Sequence, residues 1–214
     1  MEVRGIKHSS FCLTTDDGRV IYIDPWQLPA HKVKADIILI SHIHHDHCSP
    51  ADVAALCRGE TRVVCSPLVA TTLRQEKVVA AEAIREVEAG QAQTVGGVKV
   101  EAVHAYNVNK FRSPGQPFHP FDPNFLGFVL TVGGQRLYFA GDTDVVPPEV
   151  GRVDVAMLPV SGTYVMTPEE AAAAARQLQP GLAIPMHYGS VVAGRAEAER
   201  FRDLAAPVPV AIHY

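Results

Sequence analysis

The chain has 214 residues, 47% of them hydrophobic and 20% charged, proportions that exclude intrinsic disorder and fibrous repeats. Its length suits one domain, or two small ones. Nineteen basic residues against 23 acidic ones leave a net charge of −4 with no dense basic run, which argues against nucleic acid as the main substrate. No window approaches the ~18 unbroken apolar residues of a membrane span, and the opening MEVRGIKHSSFCL holds no signal-peptide core. The four cysteines, Cys12, Cys48, Cys57 and Cys65, form no CxxC pair, so a reduced cytoplasmic protein is expected. They read as small buried hydrophobes, although Cys48, beside His47, could approach a metal as a thiolate.

In chain order, Val3–Lys7, Phe11–Thr15 and Val20–Ile23 read as short strands, with Asp16-Asp17-Gly18 turning between the last two. Asp24-Pro25 ends the third, because proline has no amide for the ladder. Asp36–Ile40 carries an apolar run typical of a strand buried on both faces. Ser49 and Pro50 have N-cap and first-turn chemistry and open a helix; Ser66 and Pro67 repeat the device after a strand at Arg62–Cys65. Several strands follow between Ala83 and Ala105, the last of them the alternating Val98–His104. Gly127–Val132 and Arg136–Ala140 form a hairpin about Gly133-Gly134, and Val153–Leu158 is another buried strand. Thr167-Pro168-Glu169-Glu170 has capping-box spacing and opens an alanine-rich helix to about Leu178. Leu182–Met186 is a strand, Arg195–Leu204 a helix and Val208–His213 a final strand. Such an order suits the α+β class: two mixed β-sheets face to face with helices on the outer faces, an αββα sandwich covering residues 1–214 as one domain.

Ten histidines spread evenly would put well under one in any six-residue window, yet four lie in His42-Ile43-His44-His45-Asp46-His47. This cluster follows the buried strand Asp36–Ile40. Likewise His104 ends Val98–His104, Asp142 follows Arg136–Ala140 through Gly141, and His187 follows Leu182–Met186. Strand ends are where a rigid scaffold presents a site. His42, His44, His47, His104, His187, Asp46 and Asp142 are too many donors for one tetrahedral zinc and suit two metals sharing a carboxylate. Imidazole with carboxylate favours zinc, iron, manganese or cobalt over calcium. His45 lies outside the donor spacing and is expected to face solvent or support a ligand.

His42 to His47 match the HxHxDH motif of the metallo-β-lactamase-fold hydrolases, and His104, Asp142 and His187 fall in that superfamily's order. With Asp24, Gly127-Phe128-Val129-Leu130, Gly141-Asp142-Thr143-Asp144, Pro168-Glu169-Glu170-Ala171-Ala172 and Ile184-Pro185-Met186-His187-Tyr188-Gly189, the chain resembles the compact metal-dependent hydrolases of that superfamily. Within it, the branch is similar to the ascorbate-6-phosphate lactonase group and, more distantly, to the N-acylphosphatidylethanolamine-hydrolysing phospholipase D. The resemblance implies one metal on His42, His44 and His104, a second on Asp46, His47 and His187, and Asp142 bridging them. No counterpart of the helical C-terminal domain of glyoxalase II or of the inserted domain of RNA-cleaving nucleases is expected within these 214 residues. His44 also stands where flavodiiron proteins carry a carboxylate.

The expected reaction is attack by a metal-activated hydroxide on an ester, lactone or phosphodiester of a small-molecule substrate, with two zinc ions or, in their place, manganese or iron. Asp46 is expected to orient the hydroxide while also holding metal. Asp24 either ends its strand as a turn residue or fixes a ligand imidazole; the resemblance places it at the site. His8 and Tyr188 adjoin family-like segments and are expected either near the site or in structural roles. Tyr106–Phe125 holds four prolines and five aromatics, which suggests a lid over an apolar pocket with His119 as proton donor or substrate contact. Passive packing or a subunit interface would explain the same composition, and homo-oligomerisation is left open. Two other readings stand beside the hydrolase: a mononuclear-iron redox enzyme, such as a persulfide dioxygenase, and a non-catalytic metal-binding protein.

Overall fold

The computed structural model describes residues 1–214 and divides most of its strands between two six-stranded sheets. The first contains β1 (Glu2–Lys7), β2 (Ser10–Thr14), β3 (Val20–Ile23), β4 (Ile37–Ile40), β5 (Arg62–Cys65) and β6 (Ile84–Glu86), hydrogen-bonded in chain order. Its first three strands are antiparallel, whereas β3 to β6 run parallel. Parallel neighbours need crossovers. Two of these are helices, α1 (Pro50–Leu56) and α2 (Pro67–Gln75).

The second sheet has the order β14-β13-β12-β11-β8-β7. Its members are β7 (Ala92–Val95), β8 (Val98–His104), β11 (Leu126–Val132), β12 (Gln135–Phe139), β13 (Val155–Pro159) and β14 (Leu182–Met186). Between β8 and β11, a small hairpin of β9 (Phe111–Ser113) and β10 (Gln116–Pro117) stands apart from both sheets. Helices α3 (Pro168–Leu178) and α4 (Arg195–Ala205) pack on each other and on β13 and β14.

Side-chain alternation makes the layers. Ile37 and Leu39 of β4 join the main core with both sheets, and Ile38 and Ile40 face the opposite way into the cluster beneath α1 and α2. Phe11 of β2 meets Phe139 of β12 edge-on at 6.1 Å, closing the sandwich from one sheet to the other. Each such fully buried large side chain contributes about 1.5–3 kcal/mol. The helix starts are satisfied locally. Ser49 accepts from the Asp52 amide, Ser66 from the Val69 amide, and Thr167 with Glu170 forms the reciprocal capping box.

Two expectations differ from the structure. Val208–His213 does not form a strand; it touches β14 through one parallel bridge, Ala183 to Val210, and two backbone hydrogen bonds. Pro207 and Pro209 remove the donors a longer ladder would need. Tyr106–Phe125, in which the sequence marked no strand, carries the β9–β10 hairpin in its middle. No helix is long and apolar enough to cross a membrane.

Candidate metal centre

Polar side chains gather in the loops that leave β1, β3, β4, β12 and β14, and a further imidazole arrives from the β9–β10 hairpin. Asp142 is at the centre of the cluster, 3% exposed. It follows Gly141, whose φ of +66° and approach to the Leu126 carbonyl leave no room for a Cβ. One Asp142 oxygen lies 3.1 Å from His187 Nε2 and 3.3 Å from His119 Nε2. His42 Nε2 is 3.8 Å away, and the other Asp142 oxygen is 3.2 Å from His47 Nε2.

Each of these four imidazoles is held from behind through Nδ1. His42 meets Ser41 Oγ at 2.9 Å and His187 meets Ser161 Oγ at 3.0 Å. His47 donates to Asp24 at 2.6 Å, and His119 donates to Asn107 Oδ1 at 2.9 Å. A tied Nδ1 selects the tautomer whose Nε2 is free for a cation. His44 turns its Nδ1 toward His42 Nε2, at 3.0 Å. Two donor groups result, within each of which all the donor atoms lie within 4.8 Å of one another: His42, His44, His119 and Asp142, and His8, Asp46, His47 and His187.

The electrostatics call for positive charge. Asp24, Asp46 and Asp142 are 0%, 7% and 3% exposed, and their ion-pair partners are all histidines, with no lysine or arginine among them. Unpaired buried carboxylates are costly. Burial alone would raise Asp142, but His187, His47 and hydrogen bonds from the surrounding imidazoles hold it well below the usual carboxylate range. Burial likewise opposes ionisation of Asp46 and is outweighed by His8 and His47. For His47, desolvation is overcome by Asp142 and Asp24, so its pKa stands well above that of a free imidazole. Burial pushes His42 well below that value and brings His8 down to about 4. Burial also raises Asp24, against three donors: the Ser41 amide at 2.7 Å, Ser41 Oγ at 2.5 Å and His47.

Chemically the set fits divalent cations. His47 Nε2 and Asp142 Oδ1 are buried and face each other at 3.2 Å, yet neither has a hydrogen-bond partner. Two buried polar atoms that face each other, neither of them hydrogen-bonded, suit a shared ion. The backbone is also strained here. His8, Asp24 and His187 have φ values of +54°, +45° and +59°, a region uncommon for residues other than glycine. Above the donors opens a cleft of about 290 Å3, whose floor includes His44, Asp46 and Asp142 and whose wall includes Arg112, Phe118 and Tyr164.

A family model described as "Beta-lactamase superfamily domain" matches residues 2–187. The chain belongs to the metallo-β-lactamase superfamily. Among similar sequences is a UPF0173 metal-dependent hydrolase of Koribacter versatilis, 34% identical over 95% of this chain and 94% of its own. Another of the same name, from Symbiobacterium thermophilum, is 33% identical over 99% of this chain and 96% of its own. A solved structure from Parabacteroides distasonis, titled as a candidate metal-dependent hydrolase, superposes with a TM-score of 0.82 at 32% identity, covering 98% of this chain and 91% of that one.

Within this metallo-β-lactamase fold, six of the seven expected ligands, His42, His44, Asp46, His47, Asp142 and His187, lie in the two donor groups. His104 does not. Its ring stacks on Phe121 at 4.2 Å and its Nδ1 faces Glu149 at 3.5 Å, because β8 pairs His104 with Leu126 and leaves the side chain at the aromatic edge of the sheet. His119, expected as a proton donor or substrate contact, occupies the first group instead. His8 stands in the second group, its Nε2 3.0 Å from Asp46. Asp24 sits behind His47 as a support rather than only ending its strand. Tyr188 stacks on Tyr214 at 4.6 Å and donates to its carbonyl, away from the donors. His45 is 79% exposed at the cleft mouth. Cys48 belongs to neither donor group but is buried in the cluster beneath α1 and α2, where burial pushes its thiol up to about 12.

Ser41, Asn107 and Ser161 were not foreseen. Ser161 follows β13, so a polar residue just past a buried strand was its signal. Asn107 carried none, since its role depends on the hairpin folding back.

Proposed function

We propose that the chain is a hydrolase holding two divalent cations, zinc by preference with manganese or iron able to substitute, on an ester, lactone or phosphodiester substrate. His42, His44 and His119 hold one cation, Asp46, His47 and His187 the other, and Asp142 is shared. Divalent cations in such a setting polarise a substrate oxygen and lower the pKa of water from ~15.7 toward ~7. The observation that carries this reading is the convergence of four Nε2 atoms on Asp142, with His47 Nε2 and Asp142 Oδ1 left without hydrogen-bond partners. A single iron would use only one of the two donor groups.

The chain's own residues then have separable tasks. Asp46 stays ionised at the cleft floor and accepts an O–H, which orients the attacking oxygen; His8 fixes that carboxylate. Asp24, Asn107 and Ser161 aim the ligand rings. Residues 1–214 act as one hydrolase domain, with 106–125 as its cover. The base of that cover is tied down: Asp144 accepts from the Val108 and Asn109 amides, and Lys110 pairs with Glu170. The cleft is small enough for a small-molecule substrate. Turnover of aryl esters and phosphodiesters before and after chelation is the test. Loss of turnover, restored by zinc or manganese, is expected; turnover indifferent to a chelator contradicts the proposal.

A further inference from the structure

One cation overlooks the cleft without a partner. Arg112 lies on β9, its guanidinium carbon 5.6 Å from the centroid of the Phe118 ring, which in turn packs edge-on against Tyr164 at 4.8 Å. All three line the cleft above Asp46 and Asp142, and Arg112 is the only lysine or arginine that does. Two residues earlier Lys110 is committed to Glu170 at 2.8 Å, whereas Arg112 pairs with no carboxylate and donates no hydrogen bond. An aromatic face holds a guanidinium while leaving its N–H edge free for an acceptor.

We propose that Arg112 determines specificity by binding an oxyanion, a carboxylate or phosphate, carried on the substrate outside the bond that is cleaved. The inference rests on the hydrolase reading and deepens it. With Asp46 and Asp142 neutralised by bound cations, a planar N–H fork on the wall is the feature that distinguishes an anionic substrate from a neutral one, and guanidinium with carboxylate or phosphate is the pair that bonds through two parallel contacts. Asp144 and Glu170 fix the base of the hairpin that carries Arg112, and Phe118 and Tyr164 supply an apolar flank for the part of the substrate between its two ends.

The test compares the metal-loaded wild type with Arg112→Gln and Arg112→Lys on two esters sharing a leaving group: neutral 4-nitrophenyl acetate and carboxylate-bearing mono-4-nitrophenyl glutarate. Calorimetry measures glutarate binding alongside. Arg112→Gln is expected to raise KM for the glutarate ester about tenfold with kcat little changed, to weaken glutarate binding about tenfold and to leave the acetate ester unaffected. Arg112→Lys recovers part of each loss. Equal loss on both esters, unchanged glutarate affinity in Arg112→Gln, or no glutarate binding by the wild type overturns the proposal. If the wild type turns over neither ester, the ester form of the hydrolase reading fails, and glutarate binding alone decides the role of Arg112.

Discussion

Asp142 and Asp24 show how a buried carboxylate and an imidazole constrain each other. Asp24 takes three hydrogen bonds, from Ser41 twice and from His47 Nδ1, and so fixes both the tautomer and the direction of the His47 ring. Asp142 stands on the far side of that ring, 3.2 Å from Nε2. A cation there would complete a carboxylate–histidine–metal line, in which the outer carboxylate raises ligand basicity. Asp24→Asn keeps the size and one acceptor but loses the charge behind His47. Its metal affinity, measured by competition with a chromophoric chelator, is expected to fall about 10–100-fold while the unfolding midpoint of the metal-free protein moves little. Unaltered affinity would make Asp24 only the end of β3. His119 presents the opposite lesson in legibility. The HxHxDH spacing marked residues that the fold does gather into the two donor groups, but His104 and His119 are each a single histidine near aromatics, and no local pattern in the sequence says which ring turns inward. The Asn107–His119 pair decides it through three contacts: the His119 amide and Nδ1 both donate to Asn107 Oδ1, and the Asn107 amide donates to the His119 carbonyl.

At the scale of elements, the caps and buried strands were legible because each rests on local chemistry. Ser49-Pro50, Ser66-Pro67 and the Thr167–Glu170 box open α1, α2 and α3 where their sequences place them, and α3 ends at Leu178 as expected. The β9–β10 hairpin was not legible, since its hold on the protein comes from distant Asp144 and Glu170. Glu170 serves two elements at once, capping α3 and anchoring Lys110 and Asn109. Burial opposes its ionisation, but Lys110, the Thr167 amide and Asn109 together hold its carboxyl below the usual value. A folded-state pKa lowered in this way adds stability that is present above the unfolded pKa of ~4.3 and lost as pH falls through the folded value. Glu170→Gln preserves the capping geometry and removes the charge. It is expected to flatten the acid limb of a stability–pH curve and to speed amide exchange across residues 108–119. An unchanged acid limb would mean that Lys110 and Glu170 do not anchor the hairpin in solution.

Across the whole molecule, the two sheets bring together residues far apart in the chain, and their polar loops meet at one edge of the sandwich. The apolar runs gave this architecture because each strand had to be covered twice, once by the opposite sheet and once by helices. The polypeptide must also bury Asp24, Asp46 and Asp142 without a lysine or arginine beside them, so folding and cation binding are linked. Free cation at 100 times its Kd stabilises the folded state by about 2.7 kcal/mol, which in a chain of this length is a rise of about 5–10 °C in Tm. Differential scanning calorimetry of chelated and zinc-loaded protein is expected to show a shift of that order, growing with cation concentration. A midpoint independent of zinc would place the donors' cost elsewhere in the fold.

The central claim is that two cations share Asp142, with His119 and not His104 completing the first group. Metal content per chain by inductively coupled plasma mass spectrometry, at saturating zinc followed by desalting, tests it most directly. The account predicts two zinc ions per chain in the wild type and in His104→Ala, and one in His119→Ala. A wild type that saturates at one, or a His119→Ala variant that keeps two while His104→Ala loses one, would contradict it.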